Sequence, residues 1–438
     1  MPCAKDGCNN DGCNNDGCES IPPVDTSSDR PRRFFGRRKR GGSSAPSTDL
    51  VKRTAARTLM SSQIPDEIEN DPELKRAMEQ LPSNYNFQIA KTVWRLKKDG
   101  AQKVALQLPE GLMLFACILA DIFEQCAGVK DVLIMADVTY GACCVDDYSA
   151  RALGCDFMVH YGHSCLVPID VTAKSSGLKL LYVFVDIDID VEHLVESVKL
   201  TFENRNTRIA LLCTIQFAAA MHKAKQLIDD IYTRQAYVPQ AKPLSRGEVL
   251  GCTSPSLACE DVDCLVFVAD GRFHLESAMI ANPHLPAERY DPYTRVLTIE
   301  HYDTHLMREI RKGQIDKASD AQSWGVVLGT LGRQGNPKIL ERIEKILKAK
   351  NKRYVVLLLS EMFPAKLKLL DDSVDAWVQI ACPRLSVDWG TAFSKPLLSP
   401  YELFVAVGEA AWREEYPQDF YAKGSGPWTN FYEEPKSV

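Results

Sequence analysis

From Phe87 onward the apolar positions change period again and again. Phe87, Ala90, Val93, Trp94 and Lys97 recur at the spacing of one helix face, and Gly100 ends that run. Short apolar stretches then predict strands at Val104–Leu108, Val132–Met135, Phe157–His160 and Leu180–Val185, with a helix over Leu112–Cys126. A second series follows: helix Val191–Phe202, strand Ile209–Cys213, helix Phe217–Tyr232, and strands at Ala236–Val238 and Cys264–Val268. The third comprises helix His301–Arg311, strand Gly325–Leu328, helix Pro337–Lys350, strand Tyr354–Leu359, helix Phe363–Leu370 and strand Ala376–Ile380. Strands separated by helices of about 10–15 residues predict βαβ units, parallel sheets and right-handed crossovers. The expected fold is therefore α/β: a small parallel-sheet unit repeated three times by element order, over 76–190, 191–300 and 301–410. A tail and linker over 1–75 and a C-terminal tail over 411–438 flank them.

Composition narrows the class. The 438 residues are 45% hydrophobic and 25% charged with a net charge of −6, which argues against general nucleic-acid binding. No apolar run reaches the roughly 20 residues of a membrane helix, and no signal-peptide pattern opens the chain, so a cytoplasmic protein is expected. There the 15 cysteines stay reduced, and Cys117, Cys126, Cys213 and Cys264 fit apolar patterns as buried hydrophobes. The first 75 residues are expected to be disordered. Cys3, Cys8, Cys13 and Cys18 recur every five residues with no apolar partner, which reads as a repeat in a free tail before a metal site. Arg30, Arg32, Arg33, Arg37, Arg38, Lys39 and Arg40 form a basic run, read as solvated tail with nuclear import as the alternative.

Parallel sheets bind ligands beyond the carboxyl ends of their strands. Each series places one cysteine, preceded by a small residue, in a loop after a strand: Cys143 in TYGACC, Cys252 in VLGCTSP and Cys382 in IACPRL. A small neighbour lets backbone approach a bulky group. Gaps of over a hundred residues resemble no zinc finger, whose ligands come in close pairs. Nor is there a C-x3-C-x2-C loop. Three such thiolates can hold a cuboidal cluster at three irons, leaving the fourth open. Spacing alone favours three unrelated buried cysteines.

Longer motifs change that balance. LQLPEGL at 106–112, ADVTYGACCVDD at 136–147, HYGHSCL at 160–166, the GC at 251–252 and ACPRLSVDWG at 381–390 resemble the diphthamide synthase family, from about residue 85 to about 410. The resemblance implies three homologous small parallel-sheet domains in a pseudo-three-fold arrangement around a central [4Fe–4S] cluster held by Cys143, Cys252 and Cys382, with Cys144 as the adjacent alternative to Cys143. The full set of three implies the catalytic first subunit of the eukaryotic pair. It implies that the open iron binds S-adenosylmethionine, and that electron transfer breaks the bond to the methionine γ-carbon. A 3-amino-3-carboxypropyl radical would then add to C2 of a histidine in elongation factor two, leaving methylthioadenosine. Implied partners are a related second subunit in a heterodimer, the elongation factor as protein substrate, and a small metal-binding electron donor with its reductase. No membrane or direct nucleic-acid contact is expected.

Other candidates carry two readings each. Arg384 could hold the methionine carboxylate or form a domain-interface ion pair. Asp137 and Tyr140 could touch the adenosine or only brace the first cysteine loop. His163, with His160 across Gly162, could reach the cluster or substrate, or serve a structural role. Glu110 reads as a helix cap, and Gly329, Gly332 and Gly335 read as turn formers before an anion cradle. The competing class is a non-catalytic α/β scaffold or partner subunit. A zinc-bound hydrolase is a third, less favoured class.

Overall fold

Apolar runs bounded by turn residues become strands, and the helices between them cover the sheet faces. The structure, a computed structural model, describes residues 64–136, 141, 143–162, 166, 177–422 and 424–433, all within one unit beginning at Leu59. The N-terminal cysteine repeat and the basic run lie outside the described residues.

The first part contains β1 (Tyr85–Asn86), β2 (Lys103–Gln107), β3 (Asp131–Ile134), β4 (Phe157–Tyr161), β5 (Lys179–Val183) and β6 (Asp186–Ile187). Its parallel sheet runs β3-β2-β4-β5, and β1 pairs antiparallel with β6. The second sheet uses β7 (Ile209–Cys213), β8 (Cys264–Val268), β9 (Ala287–Asp291) and β10 (Val296–Glu300) in the order β10-β9-β8-β7. The third uses β11 (Ser323–Gly329), β12 (Arg353–Leu359), β13 (Ala376–Ile380) and β14 (Leu397–Leu398), ordered β12-β11-β13-β14 and all parallel. In the first and third sheets the earliest strand lies between the next two. The second sheet follows the same plan, because Tyr237 and Glu248 bridge in parallel to the free edge of β7.

Two sequence expectations are corrected here. The strand expected at Ala236–Val238 reduces to the single bridge from Tyr237, since Pro239 follows directly and cannot donate to a ladder. The second sheet is mixed: β10 turns back antiparallel on β9. Asp291 forms that turn by accepting from the N–H groups of Tyr293 and Thr294, and Arg295 takes φ 56°. An Arg289–Glu300 ion pair at 3.0 Å then spans the hairpin.

The central strands β4, β7, β8, β11 and β13 are buried along their whole length, as in sheets covered on both faces. Helix Pro337–Ala349 shows the helical side of this packing, burying Ile339, Ile343 and Leu347 one turn apart in the third core. Cys213 and Cys264 are buried as expected, but Cys117 is exposed, because its helix turns that position outward.

The ends also differ from expectation. Short helix Asp66–Glu69 falls inside the span assigned to the tail, and helix Pro72–Met78 crosses its end. Asp71 caps the second by accepting from Glu73, and Leu74 is buried in the first core. At the other end Tyr416, Phe420 and Trp428 are buried in the third core, with the Trp428 ring 5.0 Å from Tyr401. Residues 411–433 are therefore largely part of the folded body. No helix among the described residues is long and apolar enough to cross a membrane.

Candidate functional site

The first cysteine loop leaves β3 and is held from below and from the side. Gln107, which closes β2, donates from Nε2 to the Cys144 carbonyl (2.9 Å), while its Oε1 faces the Asp146 N–H and His160 Nδ1 (2.8 Å). From the third part of the chain the Arg333 N–H donates to the Cys143 carbonyl (2.9 Å). The Arg333 guanidinium forks onto Asp147 at 2.8 and 2.6 Å and lies over the Tyr148 ring at 4.0 Å. Gly332 makes this approach feasible: it has φ +53°, and a Cβ there would stand 2.6 Å from the Cys144 backbone. The glycine-rich loop thus serves close backbone packing.

The second loop is fixed by Gly251, where a Cβ would fall 2.2 Å from the Phe273 ring. Next to Cys252, the Thr253 hydroxyl lies 3.7 Å from the thiol sulfur. The third cysteine, Cys382, is the N-cap residue of helix Pro383–Trp389. Backbone N–H groups of Arg384 and Leu385 face its sulfur, and Gln379 at the end of β13 donates to its carbonyl (2.8 Å). Gln107 and Gln379 therefore do the same work in two different sheets.

Cys143, Cys252 and Cys382 converge on one cavity of about 240 Å³, whose other walls include Leu166, Leu250 and Phe273. Cys144 does not line that cavity; it is buried beside Cys143, and its sulfur accepts from Gln334 at 3.4 Å. All three cavity thiols are pushed upward in pKa. For Cys143 the first cause is its hydrogen bond with Cys144, then burial; for Cys252 it is burial. Burial also raises Cys382, but only to about 11, because the helix N–H groups favour its thiolate. One water needs roughly 10–15 Å³ of such space, so the cavity suits a multi-atom group better than a single ion. Among the described residues no three His, Cys, Asp or Glu side chains stand close enough to share one ion. Thiolates on three separate irons of a cuboidal cluster sit farther apart than that. The donor set, its spread and the cavity fit such a cluster.

The remaining sequence candidates separate. Asp137, Tyr140 and His163 lie outside the described residues. Arg384 does not present a free fork for a carboxylate: Nε donates to Asp388, Nη1 to the carbonyls of Gly251 and Phe273, and Nη2 to Glu276. It is 2% exposed and ties the Cys252 loop to the Cys382 helix, which corrects the ligand-holding expectation in favour of the interface ion pair. His160 is buried in β4 against Gln107 and Tyr182. Glu110 caps nothing; it opens a 3-10 turn and lines a wider cavity of about 750 Å³ that also reaches Cys382. A third cavity, of about 240 Å³, lies between the ends of the first two sheets and includes Thr214, Asp270 and Tyr293; His274 lines both it and the cysteine cavity. Sequence reasoning missed Gln107, Gln379 and Arg333. The first two carry a readable signal: a lone amide near the end of an otherwise apolar strand.

With this geometry in hand, comparison with known proteins is decisive. A family model described as putative diphthamide synthesis protein matches residues 108–417. The chain belongs to the diphthamide synthesis family. It is 57% identical over 394 residues to the chicken protein named 2-(3-amino-3-carboxypropyl)histidine synthase subunit 1, covering 89% of this chain and 94% of that one. The human protein of the same name is 55% identical, covering 90% and 87%, and that of Schizosaccharomyces pombe is 51% identical, covering 91% and 93%. Dph2 from Pyrococcus horikoshii, solved with a 4Fe-4S cluster, has a TM-score of 0.61 and 26% identity, covering 76% of this chain and 93% of that one. This diphthamide synthesis protein is an enzyme subunit, and its family match includes all three cavity cysteines.

Proposed function

We propose that this chain is the catalytic subunit that transfers the 3-amino-3-carboxypropyl group of S-adenosylmethionine to C2 of a histidine in elongation factor two. The observation that carries the reading is the convergence of Cys143, Cys252 and Cys382, from three sheets, on one cavity. Those three would hold a [4Fe–4S] cluster. When bound, it would supply one electron to break the bond to the methionine γ-carbon, giving methylthioadenosine and a radical that adds to imidazole C2; the adduct would then lose the C2 proton and return one electron to the oxidised cluster, restoring the aromatic ring.

The chain's own residues do the positioning. Gln107, Arg333, Gln379 and Arg384 fix the three loops from several elements at once, so the sulfurs keep their spacing. Leu166, Leu250 and Phe273 keep the cavity apolar and exclude water from a reactive intermediate. The neighbouring cavity offers the Asp270 carboxylate and the Thr214 hydroxyl, a buried oxygen without a partner, for the polar groups of S-adenosylmethionine. The wide cavity by Glu110 and Trp389 is large enough for a substrate loop carrying the histidine. A related second subunit completes the enzyme, and a small metal-binding protein with its reductase delivers electrons.

The test is anaerobic purification with the second subunit, then iron analysis and electron paramagnetic resonance after dithionite reduction. About four irons and a reduced cubane signal are expected, lost or weakened in Cys143→Ser, Cys252→Ser and Cys382→Ser. Methylthioadenosine release should fall in parallel. Iron-free protein after reconstitution would overturn the radical mechanism and favour a non-catalytic scaffold.

A further inference from the structure

Thr214 carries a hydroxyl that bonds to nothing. The residue is 2% exposed, its Oγ1 is buried without a partner, and it lines the cavity between the ends of the first two sheets. It is the N-cap of the 3-10 turn Ile215–Phe217, where a threonine ordinarily accepts from the turn's own N–H groups, yet it makes no such bond. That turn runs straight into helix Ala218–Ile231, so the two form one helical stretch. Ile215 and Gln216 line the same cavity, and among the described residues nothing accepts from their N–H groups. A buried hydroxyl without a partner is unfavourable until a ligand satisfies it, and the start of a helix favours an anion.

Topology puts this place where an α/β sheet binds ligands. From β7 the chain passes to the Tyr237 side of the second sheet; from β8 it passes to β9 on the opposite side. The carboxyl ends of β7 and β8 therefore flank the point at which the strand order reverses. Thr214 follows β7, and its N–H donates to the carbonyl of Val268, the last residue of β8 (3.3 Å). Asp270 follows β8 and lines the same cavity. Donors for a carboxylate thus stand beside an acceptor for an ammonium, the polarity of an amino acid. A nucleoside fits less well. The rings of Tyr85 and Tyr293 also line the cavity, but they already pack on Phe87 (5.9 Å) and Phe217 (6.4 Å), and their hydroxyls bond to each other (2.7 Å).

We propose that this cavity holds the amino-acid end of S-adenosylmethionine: Thr214 and the helix start take the carboxylate, and Asp270 takes the ammonium. This rests on the reading that the chain uses S-adenosylmethionine. His274 lines both this cavity and the cysteine cavity, so the short methionine side chain would pass it to bring the sulfonium toward the cysteines. Once the bond to the γ-carbon breaks, the same contacts stay on the 3-amino-3-carboxypropyl fragment, and methylthioadenosine is free to leave. The residues that bind the substrate thereby hold the part that is transferred.

The test is equilibrium dialysis of three ligands against the full chain with its second subunit, loaded with iron and sulfide and kept oxidised so that nothing turns over. Thr214→Val should weaken S-adenosylmethionine by about tenfold, and leave its decarboxylated analogue and methylthioadenosine within about twofold. Asp270→Asn should weaken S-adenosylmethionine and the decarboxylated analogue alike, by about fivefold or more, and again spare methylthioadenosine. Because the Thr214 hydroxyl bonds nothing in the protein, Thr214→Val should melt no lower than wild type when iron-free. Should that variant not fold, Asp270→Asn decides alone. Unchanged S-adenosylmethionine binding in either folded variant, or an equal loss of methylthioadenosine, overturns the inference and leaves the proposed function standing. A loaded wild type that binds no S-adenosylmethionine overturns both.

Discussion

Glu288 is an unusual residue for the middle of a strand. It sits in β9, 6% exposed, with Oε2 buried and unpartnered. Burial pushes its carboxyl up from 4.5 to about 7. The folded state therefore keeps this proton over a range where the unfolded chain has lost it. Stability should decline as pH rises from about 4.5 to about 7 and then level off, opposite in sign to a salt-bridged carboxylate. Urea midpoints at pH 5 and pH 7.5 check this: Glu288→Gln should show a smaller drop between the two than wild type. Legibility at this scale was uneven. The three cysteines could be read because each follows a strand and a small residue, the place where α/β sheets expose backbone to ligands. Gln107 and Gln379 were less visible, since one amide near the end of an apolar strand looks like an ordinary transition to loop. Arg384 was noticed but left between two readings, because its partners Glu276 and the Gly251 carbonyl are over a hundred residues away.

Among the elements, the third sheet depends on one buried ion pair. Helix Thr304–Ser319 presents Arg311, fully buried, to Glu402 in helix Pro400–Ala406 at 2.6 and 2.7 Å. The same guanidinium donates to the carbonyls of Ser386 and Leu397, and Tyr416 donates to Glu402. Glu402 also completes a capping box with Ser399. Arg311→Met should thus cost about 3–5 kcal/mol, because it leaves Glu402 buried and unpaired. Chemical denaturation of the iron-free chain measures this directly. The periodicity that predicts helix Pro337–Ala349 and the central strands was strong, since burial on both faces demands continuous apolar runs. The β9–β10 hairpin was hidden for the converse reason: Arg289, Thr298 and Glu300 break the apolar pattern with charge pairs that only the fold reveals.

Across the whole molecule, the third part of the chain ties the other two to itself. Arg333 reaches the Cys143 loop, and Arg384 reaches the Cys252 loop. Arg333→Ala keeps the backbone contact to Cys143 but removes the guanidinium fork on Asp147, so it should leave the complex folded while lowering the iron retained after reconstitution to roughly half or less. Iron analysis beside circular dichroism of the same sample decides it. The shared strand order explains why three series were visible in the sequence, although no residue identity linked them. The cysteines themselves break that order. Cys143 and Cys252 lie after the second strand position of their sheets, whereas Cys382 follows the third. Duplication of one ancestral thiol-bearing module would have put all three at matching positions. The three sulfurs are therefore not related by the symmetry of the strand order, and the third is delivered to the cavity from the N-terminus of a helix, as the first two are not.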